Sequence, residues 1–362
     1  MLSICMIAKN EEKNIVRALE SLRPLGCEIV VVDTGSVDAT REIAARYTEH
    51  VYDYVWEDDF AAAKNFAVEK ATNPYVLILD CDEYMEQFDM GQLEQLLRSH
   101  PREAGRIKRV NYLTKGGERQ EQREWINRIF AKAVFHYEGR IHEQVTARDG
   151  RDYDTFLAPV VIGHTGYDLT EEEKKAKAAR NFALLQQEYE RLKALALKQG
   201  FGLPGQPPES EQLPYIVYQM GKSCYMAGDY DKACEYFSQG LSFDLNPKLE
   251  YVVDMVETYG YALLNGGQPE TALLLESVYA EFGDTADFKF LMGLIYMNNA
   301  RFDEAIRQFE LATAYADCRS KGVNSYAAWY NIGVIKECLG DAAGARSYYK
   351  KCGDYAPARK RP

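Results

Sequence analysis

The sequence predicts two folds in one chain: an α/β domain with a mostly parallel sheet, then an all-α domain of helical repeats. Three observations carry this. From residue 2 to residue 80, continuous apolar runs alternate with helix-patterned segments, as in a parallel sheet covered on both faces. The stretch GFGLPGQPPESEQ at 200–212 is rich in Gly and Pro and poor in apolar residues, the composition of a linker. Beyond it, small residues recur at matching offsets, the mark of stacked repeats.

The elements follow in order. LSICMIA is the first strand, and Asn10 is placed to cap a helix whose stripe is Ile15, Leu19 and Leu22. EIVVVD is the second strand, with Ser36 as the next cap. HVYDYVW, FAAAKNFAVEKA and YVLILD read as strand, helix and strand. Past Gly105, RIKRVNYLT, WINRIFAKA and PVVIGHTGY read as strands at a mixed sheet edge, and a charged helix from Glu171 to Leu197 closes this half. The expected division is 1–170 for the α/β domain, 171–199 for a connecting helix, 200–212 for the linker and 213–362 for the repeats.

In the second half, Gly221, Gly260, Gly293 and Gly333 are each followed after twelve residues by Ala233, Ala272, Ala305 and Ala345. After sixteen residues come Phe237, Glu276, Phe309 and Tyr349. Small residues let paired helices approach, and the aromatic ring fills the gap. Four units are expected, the second weakened by Glu276 at an apolar slot. The pattern resembles the tetratricopeptide repeat, whose units bury their apolar faces only by stacking. The resemblance implies a surface for a peptide, a protein partner or a second copy of the chain.

The 362 residues carry 43 basic and 55 acidic side chains, net −12, which argues against a nucleic-acid binder. No apolar run reaches the roughly 20 residues that span a bilayer, and MLSICMIAKNEE lacks the plan of a secretory signal. The eight Cys form no CxxC pair, so reduced thiols and a cytoplasmic location are expected.

Ligands of doubly wound sheets sit beyond the carboxyl ends of the strands. Four polar clusters lie there: AKNEE, DTGSVDAT, WEDDF and DCDE. Neither GxGxxG nor GxxxxGK[ST] is present, which removes the usual dinucleotide and P-loop readings. Asp33 is suited to accept an N–H of a base, and Gly35 lets the chain turn past it. Asp80 and Asp82 are expected to hold a divalent cation whose other ligands are phosphate oxygens; that cation would offset the repulsion among Asp80, Asp82 and Glu83.

ICMIAKNEE, VVVDTGSVDAT, WEDDFAAAKNFA and LILDCDE together resemble glycosyltransferase family 2, of the GT-A fold, over about residues 1 to 170. The resemblance implies a nucleotide-sugar donor, with UDP the commonest nucleotide, Mn²⁺ or Mg²⁺, and inverting transfer to an acceptor. That acceptor is a peptide or protein, a glycan or a lipid-linked sugar. It puts Ala8, Asn10 and Glu11 in the nucleoside pocket, Asp33 on the base, Lys64 near a phosphate and Asn65 in support. Asp80 falls near the ribose or the metal, Asp82 on the metal, and His164 completes its shell. Glu143 is the expected general base and His142 the runner-up, with Glu83 and Asp152 further candidates; Trp125 and Arg128 are candidates to face the acceptor. Two alternatives stand beside this: a nucleotidyltransferase, which AKNEE does not suit, and a catalytically inactive scaffold served by its repeats.

Overall fold

Side chains alternate along the buried strands, so each strand feeds two cores, one on each face of the sheet. The computed structural model describes residues 1–115, 118–165, 171–199 and 212–361. They form two units, Met1–Thr170 and Glu171–Pro362.

The first unit contains strands β1 (Leu2–Ala8), β2 (Glu28–Asp33), β3 (Val51–Asp53), β4 (Tyr75–Asp80), β5 (Glu83–Phe88), β6 (Ala104–Lys115), β7 (Glu118–Ala131), β8 (Phe135–Glu138), β9 (Gln144–Ala147) and β10 (Thr155–His164). Its helices are α1 (Ile15–Leu22), α2 (Thr40–Ala44), α3 (Phe60–Lys70) and α4 (Met90–Ser99). One mixed, mostly parallel sheet runs β3-β2-β1-β4-β7-β6-β10-β5, and β8 pairs with β9 in a separate hairpin. β1 is parallel to β2 and β4, whereas β7 is antiparallel to both β4 and β6. The late strands thus form the middle of the sheet, not its edge. On one face Ile4, Met6, Val31 and Leu77 pack with Ile15, Leu19 and Leu22 of α1 and Leu93 and Leu97 of α4. On the other, Cys5, Val30, Val32 and Ile78 pack with Ala67 and Val68 of α3 and Phe135 of the hairpin.

Both expected caps fail. Asn10 has φ +56 and its Oδ1 accepts from Val37 N at 2.8 Å, while its own N–H donates to Ser36 Oγ at 2.9 Å. Asn10 and Ser36 therefore tie two loops together, and α1 and α2 start later, without side-chain caps. Asp59 and Asp89 do cap, accepting from Ala62 N and Gln92 N.

The second unit contains α5 (Glu171–Gln199), α6 (Gln212–Ala227), α7 (Tyr230–Gly240), α8 (Glu250–Asn265), α9 (Pro269–Ala272), α10 (Tyr279–Phe282), α11 (Ala286–Asn298), α12 (Phe302–Ala312), α13 (Tyr326–Cys338), α14 (Ala342–Lys351) and α15 (Ala356–Arg359). α5 joins this unit and packs on the repeats, with Phe182 against Tyr236 and Gln239 donating to Tyr189 Oη at 2.8 Å. The expected linker lies, up to residue 211, outside the described residues. A Cβ built on Gly221, Gly293 or Gly333 would meet Phe237, Phe309 or Tyr349 at 2.5, 2.6 and 2.4 Å. These are the three aromatic rings expected sixteen residues on. The second unit is the irregular one: between α9 and α10 the chain is a 3₁₀ helix, Leu273–Val278, which carries Glu276 out to Arg301 at 2.6 Å. Leu275 packs on Gly260 in its place.

Candidate active site

The register sets Asp33 beside Ala8 and Asp80 beside Ile7, so the carboxyl ends of β2, β1 and β4 lie side by side. Ala8 contributes its carbonyl, which accepts from the N–H of Thr34 at 2.9 Å and its hydroxyl at 3.1 Å. The loop after β1 is tied to the loop after β2 by Asn10 and by Glu11 N–H donating to Thr40 Oγ1 at 2.7 Å.

Asp33 is 4% exposed. Its Oδ2 accepts from Gly35 N at 3.1 Å and Ser36 N at 2.9 Å, while its Oδ1 is buried with no partner among the described residues. Gly35 has φ +98, a conformation that favours glycine. An unpaired buried carboxylate oxygen is costly, and an N–H donor from a ligand would complete it.

Asp80 and Glu83 are neutralised by the chain itself. Lys64 Nζ lies 3.2 Å from Asp80 Oδ1 and 2.5 Å from Glu143 Oε1. Arg128 Nη2 donates to Asp80 Oδ2 at 2.7 Å and lies 3.4 Å from Glu83 Oε1. Arg109 reaches Glu83 at 3.1 Å and Glu124 at 3.0 Å. Burial opposes ionisation of Asp80, but Arg128 and Lys64 outweigh it and hold the carboxyl well below its usual range. Likewise burial alone would lower the Lys64 ammonium, yet Asp80 and Glu143 raise it. The expectation that a cation offsets Asp80 and Glu83 is therefore revised: three basic side chains do this. Arg128, expected to face the acceptor, is buried in this network, with Nη1 unpaired.

Asp82 is differently placed. Its Oδ2 lies 3.3 Å from His164 Nε2. His164 Nδ1 lies 2.7 Å from Asn111 Oδ1, and Asn111 Nδ2 donates to Glu124 Oε1 at 2.5 Å. With Asn111 Nδ2 so engaged, its Oδ1 accepts a hydrogen bond from His164 Nδ1–H, leaving Nε2 turned to a carboxylate. An imidazole nitrogen and a carboxylate oxygen, the ring held by a side-chain carbonyl behind it, fit a divalent cation. Among the described residues no group of three or more His, Cys, Asp or Glu is arranged to hold a metal.

Glu143 stands in the loop of the β8–β9 hairpin, in contact with Lys64. The hairpin is fastened by Asn65, whose amide donates to Tyr137 O and accepts from Tyr137 N, both at 2.9 Å. Asn65 is thus a brace. His142 has φ +52, and its carbonyl accepts from Gln144 at 2.9 Å. Asp152 is exposed. Trp56 packs edge-on to Phe60 at 4.8 Å and donates to Asp58. Arg109, Glu124, Asn111 and Tyr137 were not singled out by motif. The signal for one pair was opposite charge across a strand pair, since Arg109 and Glu124 are register partners.

A family model described as Glycosyl transferase family 2 matches residues 3–148, and one described as Tetratricopeptide repeat matches 286–317 and 326–359. A prophage-derived glycosyltransferase of Bacillus subtilis, SunS, is 25% identical over 185 residues, 50% of this chain and 43% of that protein. A TPR repeat-containing protein of Synechococcus elongatus is 41% identical over 81 residues, 22% of this chain and 20% of that one. The chain therefore spans less than half the length of these relatives. A solved structure titled as YrrB, a TPR protein with an unusual peptide-binding site, aligns at TM-score 0.37 with 20% identity, covering 51% of this chain and 81% of that one. The chain thus carries a glycosyl transferase family 2 domain over residues 3–148, followed by tetratricopeptide repeats at 286–317 and 326–359.

Proposed function

We propose that residues 1–170 bind a nucleotide-sugar, with UDP as the nucleotide, and transfer its sugar with inversion to an acceptor. The observation that carries this reading is the buried, unpartnered Oδ1 of Asp33 at the end of β2. It asks for an N–H donor, and the imide of uracil offers one. Asp82 and His164 would hold Mn²⁺ or Mg²⁺, which supplies Lewis-acid stabilisation of the leaving diphosphate. Arg128, with Nη1 unpaired, and Lys64 bring positive charge beside Asp80. Glu143 is proposed as the general base: its carboxyl group, 2.5 Å from Lys64 Nζ, is the group that would accept the acceptor's proton. The helical unit would hold an acceptor or partner polypeptide, or pair two copies. Eight free cysteines suit a reducing compartment such as the cytoplasm, and no helix among the described residues is long and apolar enough to cross a membrane.

The test is a donor screen by slow hydrolysis with Mn²⁺ supplied. Release of UDP from one UDP-sugar, abolished in Asp82→Ala, is the expected result. One observation favours the inactive-scaffold reading: both oxygens of Asp80 are filled by Lys64 and Arg128. Failure to bind any nucleoside diphosphate, with or without metal, would establish that reading instead.

A further inference from the structure

The helical unit contains a cluster of polar side chains that no repeat motif requires. Asp254, Glu257 and Tyr261 fall on one face of α8 by their spacing, and α6 and α11 pack on either side of that helix. From α6, Lys222 Nζ and Tyr218 Oη reach Asp254 Oδ2 at 2.7 and 2.6 Å. From α11, Asp287 accepts the backbone N–H groups of Arg319 and Ser320, both at 2.9 Å.

Arg319 does not belong to a helix. It lies in the connection between α12 and α13, the interval that stretches the spacing from Gly293 to Gly333 beyond a regular repeat. Asp287 clamps this connection by its backbone, and the Arg319 guanidinium then reaches back to α8. It pairs with Glu257 Oε2 and lies 3.4 Å from Asp254 Oδ1. The pairing is incomplete. Glu257 is 5% exposed, and its Oε1 is buried without a partner among the described residues. Burial, opposed by Arg319 and reinforced by Asp287 and Asp254, holds this carboxyl up at about 7. Arg319 itself keeps 42% of its side chain in contact with solvent, so the cation is the replaceable member of the pair.

We propose that Asp254 and Glu257 form a receptor pocket for an arginine side chain of a partner peptide, and that Arg319 fills it in the free chain as a tethered competitor. Charge complementarity selects the occupant. Two carboxylates converge on one guanidinium, and one buried oxygen lacks an N–H donor among the described residues. A planar five-donor fork supplies that second contact from one group, whereas an ammonium is a point charge. An incoming arginine gains both carboxylates once Arg319 swings out, and Asp287 keeps the connection anchored by its backbone. The proposal is independent of the transferase reading.

The test uses the full chain and the peptide acetyl-Gly-Arg-Gly-amide, followed by titration calorimetry. Arg319→Ala is expected to bind the peptide at least tenfold more tightly than the unsubstituted chain, and Glu257→Gln added to it is expected to remove the gain. The same peptide with citrulline for arginine is expected not to bind. If Arg319→Ala does not fold alone, the arginine peptide at millimolar concentration is expected to restore its helical circular dichroism and the citrulline peptide is not. Equal affinity for both chains, equal binding of the citrulline peptide, or no restoration of an unfolded variant overturns the proposal.

Discussion

Lys64 holds two carboxylates from different parts of the chain, Asp80 at the end of β4 and Glu143 in the hairpin loop. Removing one member of a buried pair leaves the others uncompensated, at a cost of about 3–5 kcal/mol. Lys64→Met is therefore expected to destabilise the first unit by roughly that much in urea denaturation. Asp33 behaves otherwise, because its two oxygens have separate tasks. In Asp33→Asn the amide oxygen keeps the bonds from Gly35 and Ser36, while an N–H₂ replaces the unpaired oxygen. Stability is expected to change by under about 1 kcal/mol. Nucleoside diphosphate affinity should fall at least tenfold, about 1.4 kcal/mol, since two donors then face each other. That Asp33 and Asp82 lie at the ends of buried strands was legible in the sequence, because an apolar run precedes each. The partners of Asp80 were not. Lys64 comes from α3 and Arg128 from β7, and only the antiparallel pairing of β7 with β4 brings Arg128 to the end of that parallel strand.

At the level of elements, β1, β2, β4 and α3 were readable because both faces of each strand are buried and the run is uninterrupted. β5 and α4 were not. β5 is an edge strand with a polar side, EYMEQF, so no apolar run marks it. α4 buries only Leu93 and Leu97, too narrow a stripe to mark a helix in the sequence. The expected caps at Asn10 and Ser36 failed because these side chains hydrogen-bond across two loops, a long-range pairing that local spacing does not reveal. In the repeats, a glycine followed sixteen residues later by an aromatic ring was sufficient, since the ring occupies the space a Cβ would need. Gly293→Ala would place that Cβ 2.6 Å from Phe309. Overpacking costs about 1–3 kcal/mol, against a helix-propensity gain of about 1 kcal/mol. Net destabilisation of the helical unit is expected, read as a lower urea midpoint with nucleotide binding unchanged.

For the whole molecule, each unit carries cores of its own: among the described residues, 218–335 and 345–358 in the helical unit, and two within residues 2–162 in the first. They also titrate differently. All five His lie before residue 165, so no imidazole in the helical unit responds between pH 5 and 8. Glu257 does respond. It faces Tyr261 and Asp254 on its own helix, Asp287 from α11, and Arg319, while Lys222 and Tyr218 from α6 contact Asp254. Burial raises its folded value to about 7, above the ordinary carboxyl value, so the folded state binds the extra proton between them. The stability this contributes is present at low pH and is lost as pH rises through about 7. Asp254 acts in the other direction and only in acid, because burial is outweighed by Lys222 and Arg319, which hold it at about 2. The helical unit is thus expected to lose up to about 3 kcal/mol between pH 5 and 8 in urea denaturation. In Glu257→Gln that slope should disappear.

The central claim is a nucleotide-sugar site in which Asp33 takes an N–H of the base and Asp82 and His164 hold a cation. Titration calorimetry of UDP into the full chain, with and without Mn²⁺, measures it most directly. The account predicts binding that requires Mn²⁺, weakens at least tenfold in Asp33→Asn and disappears in Asp82→Ala. Binding of equal strength without metal, or unaffected by both substitutions, would contradict it.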